Sequence, residues 1–334
     1  MNDDRGLLET IAGDGRPLMI LTALILLGCG AFAVFQAATG HFLPHDTAYL
    51  GMTAQQLCAL HGCRILHFMI HDRISFGGVL IGIGVMYLWL CVFPLRCHES
   101  WAWWALAISG FAGFLSCLAY LGYGYLDTWH GAATLALLPI FVAGLLRTRT
   151  LRRERVARQR LDLRSGPGIG RALLLLSTLG IAAAGLTIMT VGMTRVFVPQ
   201  DLEFMAVTAE EVRAVNAHLV PLIAHDRAGF GGALVSCGVA MFLAVLYGRP
   251  SRSLRQALAL AGVFGFACAI GIHPIIGYTN LFHLAPAMMG CVVFAIGVVL
   301  SRPGAAKDPV MLPEIPRHSA PQDDASWRIT SRLP

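Results

Sequence analysis

Charge is what this chain of 334 residues has least of. Asp, Glu, Lys and Arg make up 13% of it, against 56% hydrophobic residues. That balance excludes an ordinary soluble domain. The N-terminus lacks the basic segment of a secretory leader: residues 1–16 are acidic on balance, and the apolar run after them is too long for a leader core. Close-spaced metal motifs are missing as well. There is no His-x-x-His and no His-Glu-x-x-His. His67 and His71 stand at i and i+4, but this pair has no counterpart in the second half of the chain, where Pro221 and Ile223 stand nearby.

The positive charge that exists is local. The formal net charge of +6 comes from a linker at 147–171 that holds Arg147, Arg149, Arg152, Arg153, Arg155, Arg158, Arg160, Arg164 and Arg171. Between apolar runs such a cluster is a topology signal that stays cytoplasmic. No nucleic-acid partner is expected. Of the nine cysteines most sit within apolar runs and serve as small core residues. Cys58 and Cys63 differ, because both lie in a polar loop, and they can pair if that loop faces an oxidising compartment.

Apolar runs at 17–35, 74–92, 101–120, 132–146, 172–191, 231–246, 258–272 and 284–300 are nearly free of charge. A bilayer core takes about 20 apolar residues as a helix. The expected class is therefore all-α, a polytopic membrane protein with eight transmembrane helices. Its partners are the lipid bilayer and, for a redox role, a quinone or similar molecule; the oligomeric state is not read from the sequence.

One stretch occurs twice, as His71-Asp72-Arg73-Ile74-Ser75-Phe76-Gly77-Gly78 and as His225-Asp226-Arg227-Ala228-Gly229-Phe230-Gly231-Gly232. Upstream, Pro44, Asp46, Thr53 and Ala54 match Pro199, Asp201, Thr208 and Ala209. Downstream, Gly124-Tyr125 and His130 match Gly277-Tyr278 and His283. The chain reads as a duplication of about 150 residues. Its expected parts are a cytoplasmic N-terminus (1–16), a first four-helix repeat (17–148), a cytoplasmic linker (149–170), a second four-helix repeat (171–301) and a disordered cytoplasmic tail (302–334). An even number of spans per copy makes the repeats parallel. The loops at 39–72, 122–129, 199–226 and 273–282 then face outward, and the basic loop at 248–255 faces inward. Thr53 and Thr208, each followed three residues later by Gln56 or Glu211, mark capped helices in the long outer loops.

On this layout His71, His130, His225 and His283 open spans two, four, six and eight near the outer face, the depth at which ionisable groups need partners inside the bundle. Three chemistries use such a set. In bis-histidine haem ligation, Gly78 and Gly232, two turns along from His71 and His225, would let a macrocycle lie on the helix backbone. Arg73 and Arg227 would meet its propionates, and Tyr125, Trp129, Tyr278 and Phe282 would flank it. The plainer reading of the glycines is close helix packing, and of the arginines an interface anchor. A zinc or di-metal site is the second chemistry, with Asp72, Asp226, Asp46 or Asp201 joining the histidines. The third is proton or ion relay, although Asp72 and Asp226 also suit helix capping.

Eight spans in two four-helix repeats, with outer histidines on alternate spans, resemble haem A synthase. The resemblance implies a haem site in each half, His71 with His130 and His225 with His283, one for a haem O substrate and one for a haem b cofactor. Cys58 and Cys63 resemble the cysteine pair in the first outer loop of bacterial members. Phe68 and Leu222 stand where that family has glutamate, and Asp72 separates histidine from arginine, so the likeness covers the haem scaffold rather than its oxygenation chemistry. The function expected from the sequence is a membrane haem protein with an oxidoreductase or electron-transfer role near the outer face. A non-haem protein, either a zinc-dependent membrane hydrolase or a small-molecule carrier, is the alternative.

Overall fold

The computed structural model describes residues 6, 9, 12–116, 125, 127–152 and 161–302. Among these the chain is helical, with no β-strand. Seven helices are long and apolar enough to cross a membrane. They are α1 Arg16–Ala38, α4 Arg64–Val92, α6 Thr128–Thr148, α7 Gly166–Thr194, α10 Leu219–Tyr247, α11 Arg252–Ile276 and α12 Leu281–Leu300. The apolar helix α5, Ser100–Ser116, has 17 residues. The rest of its expected span, to residue 120, lies outside the described residues. So do Cys117, Gly124, the middle of the arginine linker (153–160), most of the N-terminal segment and the tail from 303. The described residues form one compact unit.

A helix satisfies its own backbone, which is why apolar runs of this length adopt it in lipid. Local signals set the ends. Ser165 accepts from Gly168 N–H ahead of α7, and Ser251 accepts from Leu254 N–H ahead of α11. Four short helices occupy the loops before α4 and α10: α2 Pro44–Leu50, α3 Ala54–Cys58, α8 Pro199–Met205 and α9 Ala209–Val215. Both expected capping boxes are present, Thr53 with Gln56 and Thr208 with Glu211. Cys58 and Cys63 are joined by a disulfide just before α4.

Two of the long helices, α4 and α10, are central. In an apolar 18-residue stretch of each, 67% of α4 and of α10 is buried, against 17–28% in the other helices long and apolar enough to span. Helix α4 packs on α1, α11 and α10, and α10 packs on α7, α5 and α4. The glycine pairs explain how one helix fits between two others. A Cβ on Gly77 would lie 2.8 Å from the Gly30 carbonyl of α1, while one on Gly78 would lie 2.5 Å from Cys268 of α11. Gly231 and Gly232 do the same on α10, against Gly185 of α7 and Ser116 of α5. Gly78 and Gly232 therefore sit at helix crossings, the packing role small residues have in membrane bundles. They are not placed as floors for a macrocycle.

The helices holding the repeated motif begin earlier than the apolar runs indicated. α4 starts at Arg64 and α10 at Leu219, so His71 and His225 lie about two turns inside their helices instead of opening them. Ile65, Phe68 and Met69, with Leu219, Leu222 and Ile223, build a second apolar core at this end of the molecule. That core extends both helices past their charged residues.

Candidate functional site

The charged residues of the two motifs neutralise one another across the α4–α10 contact. Arg73 binds Asp46 at 2.7 Å and Asp226 at 2.8 Å. Arg227 binds Asp72 at 3.3 Å and Asp201 at 2.8 Å, and donates to the Val196 carbonyl at 2.7 Å. Tyr125 donates to Asp46 at 3.1 Å and Tyr278 to Asp201 at 2.8 Å. Burial beside those carboxylates raises both phenols above their ordinary range, so they remain donors at physiological pH. Asp72 and Asp226 cap nothing, since each lies in a helix interior. The four aspartates proposed as accessory ligands are engaged by arginine instead, and neither arginine is a free anchor. Four carboxylates against two guanidiniums leave a formal excess of two negative charges in a buried network.

All four repeated histidines reach this region, but in partnerships that differ from the expected ones. His130 meets His225, not His71: their Nδ1 and Nε2 atoms are 2.9 Å apart and the rings stack. His71 meets His283 and a further residue, His273, with ring centroids 5.8 Å and 4.5 Å away. The expected pairs follow chain order. The observed ones follow packing, in which α5 lies against α10 and α11 lies against α4.

At the first cluster, Asp127 is the N-cap of α6 and accepts from Trp129 N–H at 2.7 Å and His130 N–H at 3.0 Å through Oδ1. Its other oxygen, Oδ2, lies 3.1 Å from His45 Nε2, 3.3 Å from His130 Nδ1 and 3.9 Å from His225 Nε2. Burial alone would raise the Asp127 carboxyl. The facing His130, His45 and His225 rings and the His130 N–H outweigh it and hold the group below the usual carboxylate range. This cluster heads a cavity of about 300 Å³ that runs down between α1, α4, α5, α6 and α10. Asp46, Arg73 and Trp129 edge its polar end, Phe76, Phe114 and Leu137 form apolar wall, and Tyr87 and Ser236 lie on its lining as well.

Sequence reasoning passed over three residues here. Asp127, His45 and His273 correspond, at the offsets of the duplication, to Asn280, Gln200 and Tyr120. A search for positions shared by both copies discards such residues. The usable signals were a carboxylate at the N-cap of the helix carrying His130, and a histidine inside an otherwise apolar run. Trp129 and Phe282, expected beside the second ligands, are largely exposed. No family model, curated protein or solved structure matches this chain.

Proposed function

We propose that this is a metal-dependent membrane enzyme that acts on a lipophilic small molecule held in the cavity below Asp127. The observation that carries the reading is the spacing of the donor atoms on Asp127, His130 and His225. Their mutual distances of 2.9, 3.3 and 3.9 Å bracket the edge of about 3.3 Å that a tetrahedral ion bound at ~2.0 Å requires. Two imidazoles, one carboxylate and an open side toward a cavity are the donor set of catalytic zinc and non-haem iron sites. A divalent ion there would supply Lewis acidity and a bound water of lowered pKa. His45 Nε2, 3.1 Å from the same carboxylate, would orient that ligand from behind. The cation would also offset the negative excess of the adjoining ion-pair network.

The scaffold belongs to the same proposal. Two parallel four-helix repeats, eight spans with both ends cytoplasmic, would interleave so that α4 and α10 exchange places under a two-fold axis along the membrane normal. The main contacts of α4 have counterparts on α10: α1 with α7, α11 with α5. Both histidine clusters would then lie near the outer face.

Haem ligation is the second reading, and the cavity beside His130 and His225 is what favours it. It needs the two imidazoles to part from 2.9 Å to roughly 4 Å, twice an ordinary metal–imidazole bond. It also needs a cation for the propionates, and Arg73 and Arg227 are each already held by two carboxylates. Elemental analysis and absorption spectra of purified full-length protein separate the two. Bound zinc or iron that falls in Asp127→Asn and His130→Gln, without a Soret band, supports the metal-ion reading. A Soret band lost in His130→Gln overturns it in favour of haem, and a colourless, metal-free protein overturns both.

A further inference from the structure

The second histidine cluster has a different construction, and we propose that His71, His273 and His283 form a separate three-histidine site for a borderline transition-metal cation such as Zn²⁺. The three side chains come from α4, the end of α11 and the start of α12, and one donor atom from each lies within 4.8 Å of the others. Their ring centroids are 4.5, 5.2 and 5.8 Å apart. Three imidazoles on one tetrahedral ion put their centroids about 5.2 Å apart, given a metal–nitrogen bond of about 2.0 Å. The rings cross at 79°, 44° and 62°, which leaves no flat slot between them and suits a small ion.

The hydrogen bonding around the rings leads to the same conclusion by another route. Tyr278 has one hydroxyl proton and gives it to Asp201, 2.8 Å away. The same oxygen, 3.1 Å from His283 Nδ1, must then accept, so Nδ1 carries the proton and Nε2 keeps its lone pair. His71 Nδ1 lies 3.0 Å from the Asp72 carboxylate, an acceptor-only group that favours the same tautomer, although the contact lacks good hydrogen-bond geometry. A carboxylate or its relay behind a histidine is the arrangement that orients metal-bound imidazoles. His273 is 3% exposed, and neither of its ring nitrogens makes a hydrogen bond of good geometry, although the Ala269 carbonyl one turn back is close. A buried imidazole without partners calls for a reason, and an ion shared with His71 and His283 supplies one. Position follows from the helix end: the His273 carbonyl accepts from Gly277 and Tyr278 N–H, so one turn of backbone sets both His273 and the tyrosine that orients His283.

This site stands apart from the Asp127 site, and metal counting on purified full-length protein in detergent, loaded with Zn²⁺ or Co²⁺ alone, tells them apart. His273→Gln should lose one ion per chain relative to wild type, while His130→Gln loses the other. His273→Cys should retain the ion and give the Co²⁺ form a thiolate charge-transfer band, a signal that requires ligand contact and that a packing defect does not create. Elution as a monodisperse peak accompanies each measurement as the folding control. Unchanged Co²⁺ content and spectrum in His273→Gln, or no thiolate band in a folded His273→Cys, overturns the proposal. Loss in His273→Gln with none in His130→Gln supports this site and counts against the Asp127 reading alone.

Discussion

Replacing Arg227 with Met would strip the guanidinium from two carboxylates at once, and the two would suffer unequally. Asp201, fully buried, keeps Tyr278 as a donor at 2.8 Å and the Val198 N–H at 2.8 Å. Asp72, 2% exposed, keeps, among the described residues, only the His71 ring at 3.0 Å. Removing one partner of a buried pair costs about 3–5 kcal/mol, because the other charge stays desolvated. The larger part of that should fall on Asp72. Asp72→Leu in the same chain should then recover more than half of the loss, since a buried pair replaced by apolar groups is close to neutral. Equilibrium unfolding of single and double variants in mixed detergent micelles, followed by circular dichroism, measures both quantities. A loss under about 1 kcal/mol for Arg227→Met, the value of an exposed ion pair, would refute the reasoning. A double variant no more stable than the single one would do the same.

Three further outcomes follow from the geometry. Tyr278→Phe should weaken metal binding at the three-histidine cluster by about 10–100-fold, the usual effect of losing an outer hydrogen bond to a ligand, and competition with a chromophoric chelator reads it directly. Gly231→Ala should cost about 1–3 kcal/mol from overpacking, because its Cβ would lie 2.5 Å from the Met189 backbone nitrogen with no flexible atom to give way; an unfolding midpoint equal to wild type would contradict the crossing. Cys58→Ser opens a short covalent loop worth about 2 kcal/mol by chain entropy, and thiol-blocking mass spectrometry of the wild type should find both sulfurs protected.

Hydropathy made the spanning helices legible, because a bilayer-length apolar run has few other fates. The boxes at Thr53 and Thr208 were legible for a local reason: three residues of sequence hold the whole motif. The pairing of His130 with His225 was not, since it depends on which helices become neighbours, and both halves offer apolar faces of similar character. The early starts of α4 and α10 were hidden too. Asp72, Arg73, Asp226 and Arg227 look like a water boundary, and only their mutual neutralisation lets the helices continue past them. His273 was lost because the duplication, the strongest signal in the chain, directs attention to what the copies share.

The ion pairs between the motifs have a consequence for how such a chain could arise. Arg73 reaches the aspartate of the second motif, and Arg227 reaches the aspartate of the first. That reciprocity, residue i to j and j to i, is the signature of an isologous contact between identical subunits. A unit bearing one His-Asp-Arg would hold its arginine to its own upstream aspartate, as Arg73 is held to Asp46 and Arg227 to Asp201, and would find the second carboxylate only on another copy of itself. The fused chain keeps the self-complementary contact while its halves are free to differ, and they differ at the positions that separate the clusters: Asp127 against Asn280, His45 against Gln200 and His273 against Tyr120. Fusion would thus let one ancestral interface become two unlike sites.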